Sequence, residues 1–198
     1  MSVQCCLALL ALSVVTAASD PGCEELLKTQ SDRSKVSGKW IFYAGTSDNP
    51  KLLKELRTLI SSWIEISPIP DSEDMVFRWG DKLDGKCYHG GINFTIAENV
   101  TTVKFNSNNS SNEHVGRHLV TCPDCILWTD TKVSTVEGRN GRNLHLFTKT
   151  GKLDLPDLEV FKKQAACLNF PPEFHFGETT DLCPYEKVAT THVKEEEQ

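Results

Sequence analysis

From residue 86 to residue 97 apolar and polar side chains change places at nearly every step. Tyr88, Gly90, Ile92, Phe94 and Ile96 share one parity; Cys87, His89, Gly91, Asn93 and Thr95 share the other. A period of two places successive side chains on opposite faces of a strand. Similar short runs, rich in Val, Ile, Thr and aromatic residues, predict strands near 39–45, 61–67, 74–80, 86–97, 100–106, 113–122, 125–133 and 142–149. Turn-forming residues break them at 68–72, 81–85, 98–99, 107–112, 123–124 and 137–141. A helical period occurs twice. Asn49-Pro50 offers an N-cap and a first-turn proline for a helix over 51–60, with Leu52, Leu53, Leu56, Leu59 and Ile60 on one stripe. Asp154 opens a second helix over 154–169, in which Leu158, Phe161, Ala165 and Leu168 recur at helical spacing. Eight consecutive short strands followed by one amphipathic helix predict an all-β fold: an eight-stranded antiparallel up-and-down barrel with a C-terminal α-helix packed on its outside. A two-sheet sandwich shares much of this pattern.

Parity also orients the wall. Asn93 opens an Asn-Phe-Thr glycosylation triplet, and a glycan must stand in water, so the face of Asn93 is outer and that of Phe94 inner. By the same rule Val103 and Phe105 face inward on their strand, and Met75, Phe77 and Trp79 alternate with Val76 and Arg78. An eight-stranded barrel has room for its own side chains or for one small ligand.

The N-terminus changes the picture by setting the compartment. Residues 5–15 form an uncharged apolar run, and Thr16-Ala17-Ala18-Ser19 supplies small residues for cleavage. Residues 1–19 are therefore expected to be a signal peptide, 20–185 the folded domain, and 186–198 a disordered acidic tail. No segment offers the ~20 apolar residues of a membrane helix. The net charge of −6 carries no basic stripe, which argues against a nucleic-acid partner. Glycosylation triplets begin at Asn93, Asn99, Asn108 and Asn109, in keeping with a secreted, extracellular glycoprotein, expected to be a monomer. Cys5 and Cys6 fall in the signal segment; Cys23, Cys87, Cys122, Cys125, Cys167 and Cys183 remain. An even number in an oxidising compartment reads as a disulfide framework whose connectivity the sequence leaves open.

Thr121-Cys122-Pro123-Asp124-Cys125 invites two chemical readings. A redox pair needs a depressed thiol pKa, usually from a helix N-terminus, but Ile126-Leu127-Trp128-Thr129 continues as strand. A zinc site could use His114, His118, Cys122 and Cys125, but it needs thiolates that a secreted chain oxidises. A hairpin disulfide is the simpler reading. No hydrolase motif is present, so no catalytic residue, metal or cofactor is assigned and the chain is not expected to be an enzyme.

Val36-Ser37-Gly38-Lys39-Trp40 precedes the first strand, and this Gly-x-Trp resembles the leading signature of the lipocalins. The resemblance implies that Trp40 plugs the closed end of the barrel beneath a basic residue from the last strand, here Lys149, with Gly38 completing the motif. The middle Thr-Asp signature is degenerate or displaced onto Thr129-Asp130. The cysteine placement is similar to the alpha-1-acid glycoprotein and apolipoprotein M branch. Cys122-Pro123-Asp124-Cys125 and the stretch from Glu173 to Cys183 look most like its fish members, the tributyltin-binding proteins and the pufferfish saxitoxin and tetrodotoxin-binding protein. That branch implies Cys23–Cys167 and Cys87–Cys183 bridges, which leaves Cys122 to pair with Cys125.

The resemblance implies a plasma carrier of a small hydrophobic molecule, such as an organotin-like xenobiotic, held inside the barrel. Pocket candidates are Trp63, Phe77, Trp79, Tyr88, Phe94, Phe105, His118, Trp128 and Phe147, and the helix near 50–60 would cover the open mouth. Other readings are a binder of guanidinium toxins, using a carboxylate such as Glu65 or Asp130, a lysolipid carrier like apolipoprotein M, and an immune-modulating glycoprotein.

Overall fold

Every strand of the barrel hydrogen-bonds to the strand that follows it, and the last returns to the first. The computed structural model describes residues 22–72, 74–107 and 110–185. The signal peptide expected over 1–19, the tail expected over 186–198 and the sequons at Asn108 and Asn109 lie outside the described residues. The barrel strands are β1 (Gly38–Ser47), β2 (Leu59–Pro68), β3 (Asp74–Leu83), β4 (Lys86–Ala97), β5 (Val100–Ser107), β6 (Ser110–Leu119), β7 (Cys125–Ser134) and β8 (Gly141–Thr148). All neighbours run antiparallel; β8 pairs with β1, and β1 with β2, which closes the ring. Four short elements complete the barrel's ends and flank: α1 (Cys23–Leu26), α2 (Arg33–Val36), α3 (Pro50–Leu56) and a two-residue strand, β9 (His175–Phe176). The longest helix, α4 (Leu155–Cys167), lies outside the wall.

Several boundaries differ from the sequence pattern; β3 runs on to Leu83 through part of the turn expected at 81–85, and two others have a clear physical reason. The helix expected over 51–60 ends at Leu56, and Leu59 and Ile60 begin β2, where Leu59 pairs with Leu83. Strand pairing overrides a helical spacing that β-branched Ile60 supports poorly. The strand expected over 113–122 runs instead from Ser110 to Leu119. Val120 N–H donates to the carbonyl of Lys28, and Thr29 bridges Leu119, so the N-terminal arm takes over the ladder. Asn49 caps α3 by accepting from Lys51 N–H, and Asp154 caps α4 by accepting from Asp157 N–H.

Two apolar clusters hold the fold. One fills the lower barrel with Val36, Trp40, Phe42, Ile66, Met75, Phe94 and Ile96 among its members. The other joins the outer wall to α4 through Leu119, Leu127, Leu144, Leu146, Phe161 and Ala165. Buried Gln164 on α4 donates to the carbonyls of Leu26 and Val120, which fastens helix, arm and barrel together. Disulfides join Cys23 to Cys167, Cys87 to Cys183 and Cys122 to Cys125.

The closed end is a stack. Trp40 is 1% exposed, and its Nε1–H donates to the carbonyl of Val36 at 3.0 Å. The Lys149 ammonium lies 3.5 Å from the centre of the indole and donates to the carbonyl of Ser37. Gly38 holds φ at +110°, and a Cβ there would stand 2.6 Å from the Lys149 nitrogen. The motif thus needs glycine both for its backbone conformation and for the space the cation occupies.

Candidate functional site

The inward faces of the strands enclose a cavity of about 430 Å³. Phe42, Ile64, Ile66, Phe77, Phe94, Val103, Ile126 and Phe147 make most of its wall, with Leu56 of α3 and Leu59 at the mouth. Trp79 and Phe105 stand edge to face at 5.3 Å, and Phe77 stacks on Trp79 at 5.5 Å. Phe77, Trp79, Phe94, Phe105, His118, Trp128 and Phe147, all expected from the sequence, are brought together on this wall.

Trp63 and Tyr88 are not on it. Trp63 is 1% exposed but points outward, where its Nε1–H donates to the carbonyl of Cys183 and Tyr185 and Lys39 cover its ring. A Cβ on Gly80 would fall 2.5 Å from the indole, so the bare backbone there seats the ring. The C-terminal segment, held by the Cys87–Cys183 bridge, turns an outer tryptophan into a buried one. Parity distinguishes it: Ser62, Ile64 and Ile66 alternate with Ser61, Trp63 and Glu65, and a carboxylate sharing Trp63's face marks that face as outer. Tyr88 has inward parity but lies near the β3–β4 hairpin, opposite Asp81, and is 49% exposed.

The polar groups of the cavity depart further from expectation. Glu65 sits on the outer wall, accepting from Arg78 and from the Tyr185 hydroxyl, and cannot meet a ligand inside. Asp130 is buried and already engaged: His114 Nδ1 lies 2.5 Å from its Oδ2, and Asn143 donates to the same oxygen. Its Oδ1 has no partner. The carboxylate that does line the cavity is Asp81, which follows Phe77 and Trp79 at the same parity on β3. Desolvation pushes its carboxyl up to about 6, against the pull of a hydrogen bond from Ser62 and the nearby His89. His145, at the parity of Phe147 on β8, also reaches the wall. Extending the alternation one position along β3 and β8 would have found both residues.

His114, His118 and His145 thus face one apolar space. The zinc reading fails on geometry as well as on redox state. Cys122 lies outside β6 in its own bridge, and the described residues contain no group of three or more potential metal ligands. Burial lowers His118 to about 4 and His145 to about 4, so both are neutral at physiological pH.

These shifts fix a pH dependence. Each imidazole binds its proton more weakly when folded, so its stabilisation is full above about pH 6.5 and is lost as pH falls towards about 4. Asp81, with a folded pKa above its unfolded value, contributes in the opposite direction between about 6 and 3.8. Two imidazoles outweigh one carboxyl, so acidification destabilises. The His118 contribution is of the order of 3 kcal/mol, at roughly 1.4 kcal/mol per pKa unit. Urea midpoints should fall between about pH 7 and about pH 5, and less steeply in His118→Gln. A midpoint that holds or rises in the wild type would contradict the buried neutral imidazoles.

No family model matches the chain, and no curated protein matches it significantly in sequence. Solved structures match it in shape. The siderocalin Ex-FABP superposes with a TM-score of 0.60 at 16% identity, covering 80% of this chain and 99% of that one. A dog lipocalin allergen gives 0.59 at 21% identity, covering 76% and 99%. An odorant binding protein gives 0.59 at 18% identity, covering 73% and 92%. The closed eight-stranded barrel with its C-terminal helix is the lipocalin fold.

Proposed function

We propose that this chain is a secreted carrier that holds one small hydrophobic molecule inside its barrel. The observation that carries the reading is the cavity itself. About 430 Å³ of apolar, aromatic-lined space lies within the size range of small-molecule sites, with few polar groups to fix orientation. The neighbouring structures include an odorant binding protein and a siderocalin described as having dual ligand specificities, which favours the same use of the fold. Three disulfides suit an extracellular compartment, and Asn93 and Asn99 lie exposed for glycosylation. All six described cysteines are bridged, so no thiol faces the cavity to serve as a nucleophile. By resemblance to the fish proteins, a lipophilic xenobiotic of organotin type is the candidate cargo.

The test uses N-phenyl-naphthylamine, an uncharged fluorophore that brightens on leaving water. Uptake should saturate at one site, quench emission from Trp79 and Trp128, and change little with salt. Ile64→Trp, which fills the cavity from its wall, should weaken uptake at least ~10-fold, while overpacking costs about 1–3 kcal/mol in stability. Unchanged uptake in that variant would place the probe elsewhere and remove support for the carrier.

Asp81 favours a second reading, a cargo bearing a basic nitrogen. Its carboxylate is on the cavity wall, whereas Glu65 and Asp130 are occupied. Binding of such a cargo would fall with added salt and be lost in Asp81→Asn.

A further inference from the structure

Four routes could connect the cavity with solvent, and three carry a plug or a covering segment. Trp40, Val36 and Lys149 plug the closed end. At the opposite end α3 packs at the mouth on β1, with Leu56 on the cavity wall, and is pinned to the β7–β8 loop and the C-terminal segment. Asn49 Nδ2–H donates to the carbonyls of Gly138 and Asn140, Glu55 pairs with Arg139 at 2.9 Å, and Arg57 pairs with Glu173 at 2.8 Å. The third route is the seam where β1 parts from β2. Their ladder spans only Gly38–Ile41 against Trp63–Ile66. The C-terminal segment covers the rest: β9 pairs with Ala44 and Gly45, His175 Nε2 bonds the carbonyl of Leu59, Glu178 N–H donates to that of Ile60, and Ser61 donates to that of Asp181.

The fourth route lies between β4 and β5. Three residue pairs alone join these strands, Thr95–Thr102, Ile96–Thr101 and Ala97–Val100. Beyond them, towards the mouth, β4 continues to pair with β3 as far as Lys86, and β5 with β6 as far as Ser107. The two facing edges form no ladder with each other. Backbone N–H and C=O groups without a protein partner are satisfied by water, so an unpaired pair of edges is hydrated rather than sealed. On the far wall Phe42 at 1%, Ile126 at 2% and Ile64 at 6% are closed off, while Trp128 and His145 are partly buried. Phe77, Trp79, Ile92 and Phe105, inward residues of β3, β4 and β5, are only partly buried. Phe94, Val103, Phe105 and Trp79 line the cavity beside the slit.

We propose that cargo enters and leaves the cavity sideways, through the slit between β4 and β5, and not past α3. The inference rests on the carrier reading. The slit's inner border of aromatic and aliphatic side chains selects a flat or slender apolar molecule, which can pass between two strands without unfolding either.

The experiment closes the slit. Asn93 and Lys104 are outward residues, each two positions beyond the last backbone pair, Thr95–Thr102, so N93C/K104C sets two thiols on either side of the slit for a cross-strand disulfide, with N93S/K104S as the control. Stopped-flow exchange of N-phenyl-naphthylamine should slow at least ~10-fold in the stapled protein, while its equilibrium affinity changes little. Asn49→Ala, which releases α3 from the loop at 138–140, should leave the exchange rate as in wild type. Exchange untouched by the staple, or accelerated by Asn49→Ala, would overturn the lateral route while leaving the carrier intact. A wild-type protein that takes up no probe sinks both. Should the two thiols remain reduced, hydrogen exchange decides. Amides of 90–94 and 103–106 should exchange faster than those of the β7–β8 ladder; equal protection would mean the edges are paired and the slit closed.

Discussion

Trp40→Ala should cost about 3–5 kcal/mol of folding free energy, in the range of large-to-small substitutions at buried aromatic sites. The side chain is 1% exposed and belongs to the cluster that fills the lower barrel. Truncation would leave a void at the closed end of the barrel, beneath Val36 of α2. It would also orphan the carbonyl of Val36, which the indole N–H now satisfies, and remove the ring beneath the Lys149 ammonium. Chemical denaturation of Trp40→Ala, Trp40→Phe and Lys149→Met separates these parts. Phenylalanine should recover most of the packing but not the hydrogen bond, and Lys149→Met should cost about 1 kcal/mol through the lost cation–π contact and the bond to Ser37. If Trp40→Ala costs less than about 1 kcal/mol, the closed end does not depend on its plug.

Removing the Cys23–Cys167 bridge by paired serine substitution should destabilise by about 5 kcal/mol in the chain-entropy model, because the bridge spans 144 residues. The Cys122–Cys125 pair, three residues apart, constrains little of the unfolded chain, and its removal should cost roughly 1.5 kcal/mol by the same model. The long bridge also ties α1 to the end of α4, beside the Gln164 bonds to Leu26 and Val120. Denaturant midpoints of the two double variants test the ratio. Equal losses would show that native-state strain or residual structure, not loop closure, sets the contribution of each bridge. The Cys-Pro-Asp-Cys stretch, which looks chemical in the sequence, is on this account a local clasp at the β6–β7 turn.

Much of the barrel was legible because its signal is local. Strand parity depends only on the geometry of successive residues, and it correctly separated Phe94 from Asn93 on β4 and Phe77 and Trp79 from Arg78 on β3. It equally carries Asp81 and His145, but Asp81 falls in a stretch that reads as a turn, and His145 is a polar residue on an otherwise apolar face. The helix over 51–60 was too long because its stripe of leucines continued into Leu59, whose partner, Leu83, is remote in sequence. β9 was invisible for a related reason. Two residues, His175 and Phe176, make a strand only because β1 has a free edge where it parts from β2.

The sequence alone therefore determined the alternation of the walls, the caps of α3 and α4, the glycine and tryptophan of the closed end and the number of cysteines. Each follows from backbone geometry or hydrogen bonding within a few residues. The tertiary structure decided what covers what. It buried outward Trp63 beneath the C-terminal segment, left inward Tyr88 in solvent, locked Asp130 to His114 and Asn143, and sealed the β1–β2 seam while leaving β4 and β5 apart. Those outcomes depend on segments distant in the chain meeting across a closed sheet, and a period of two carries no information about such meetings.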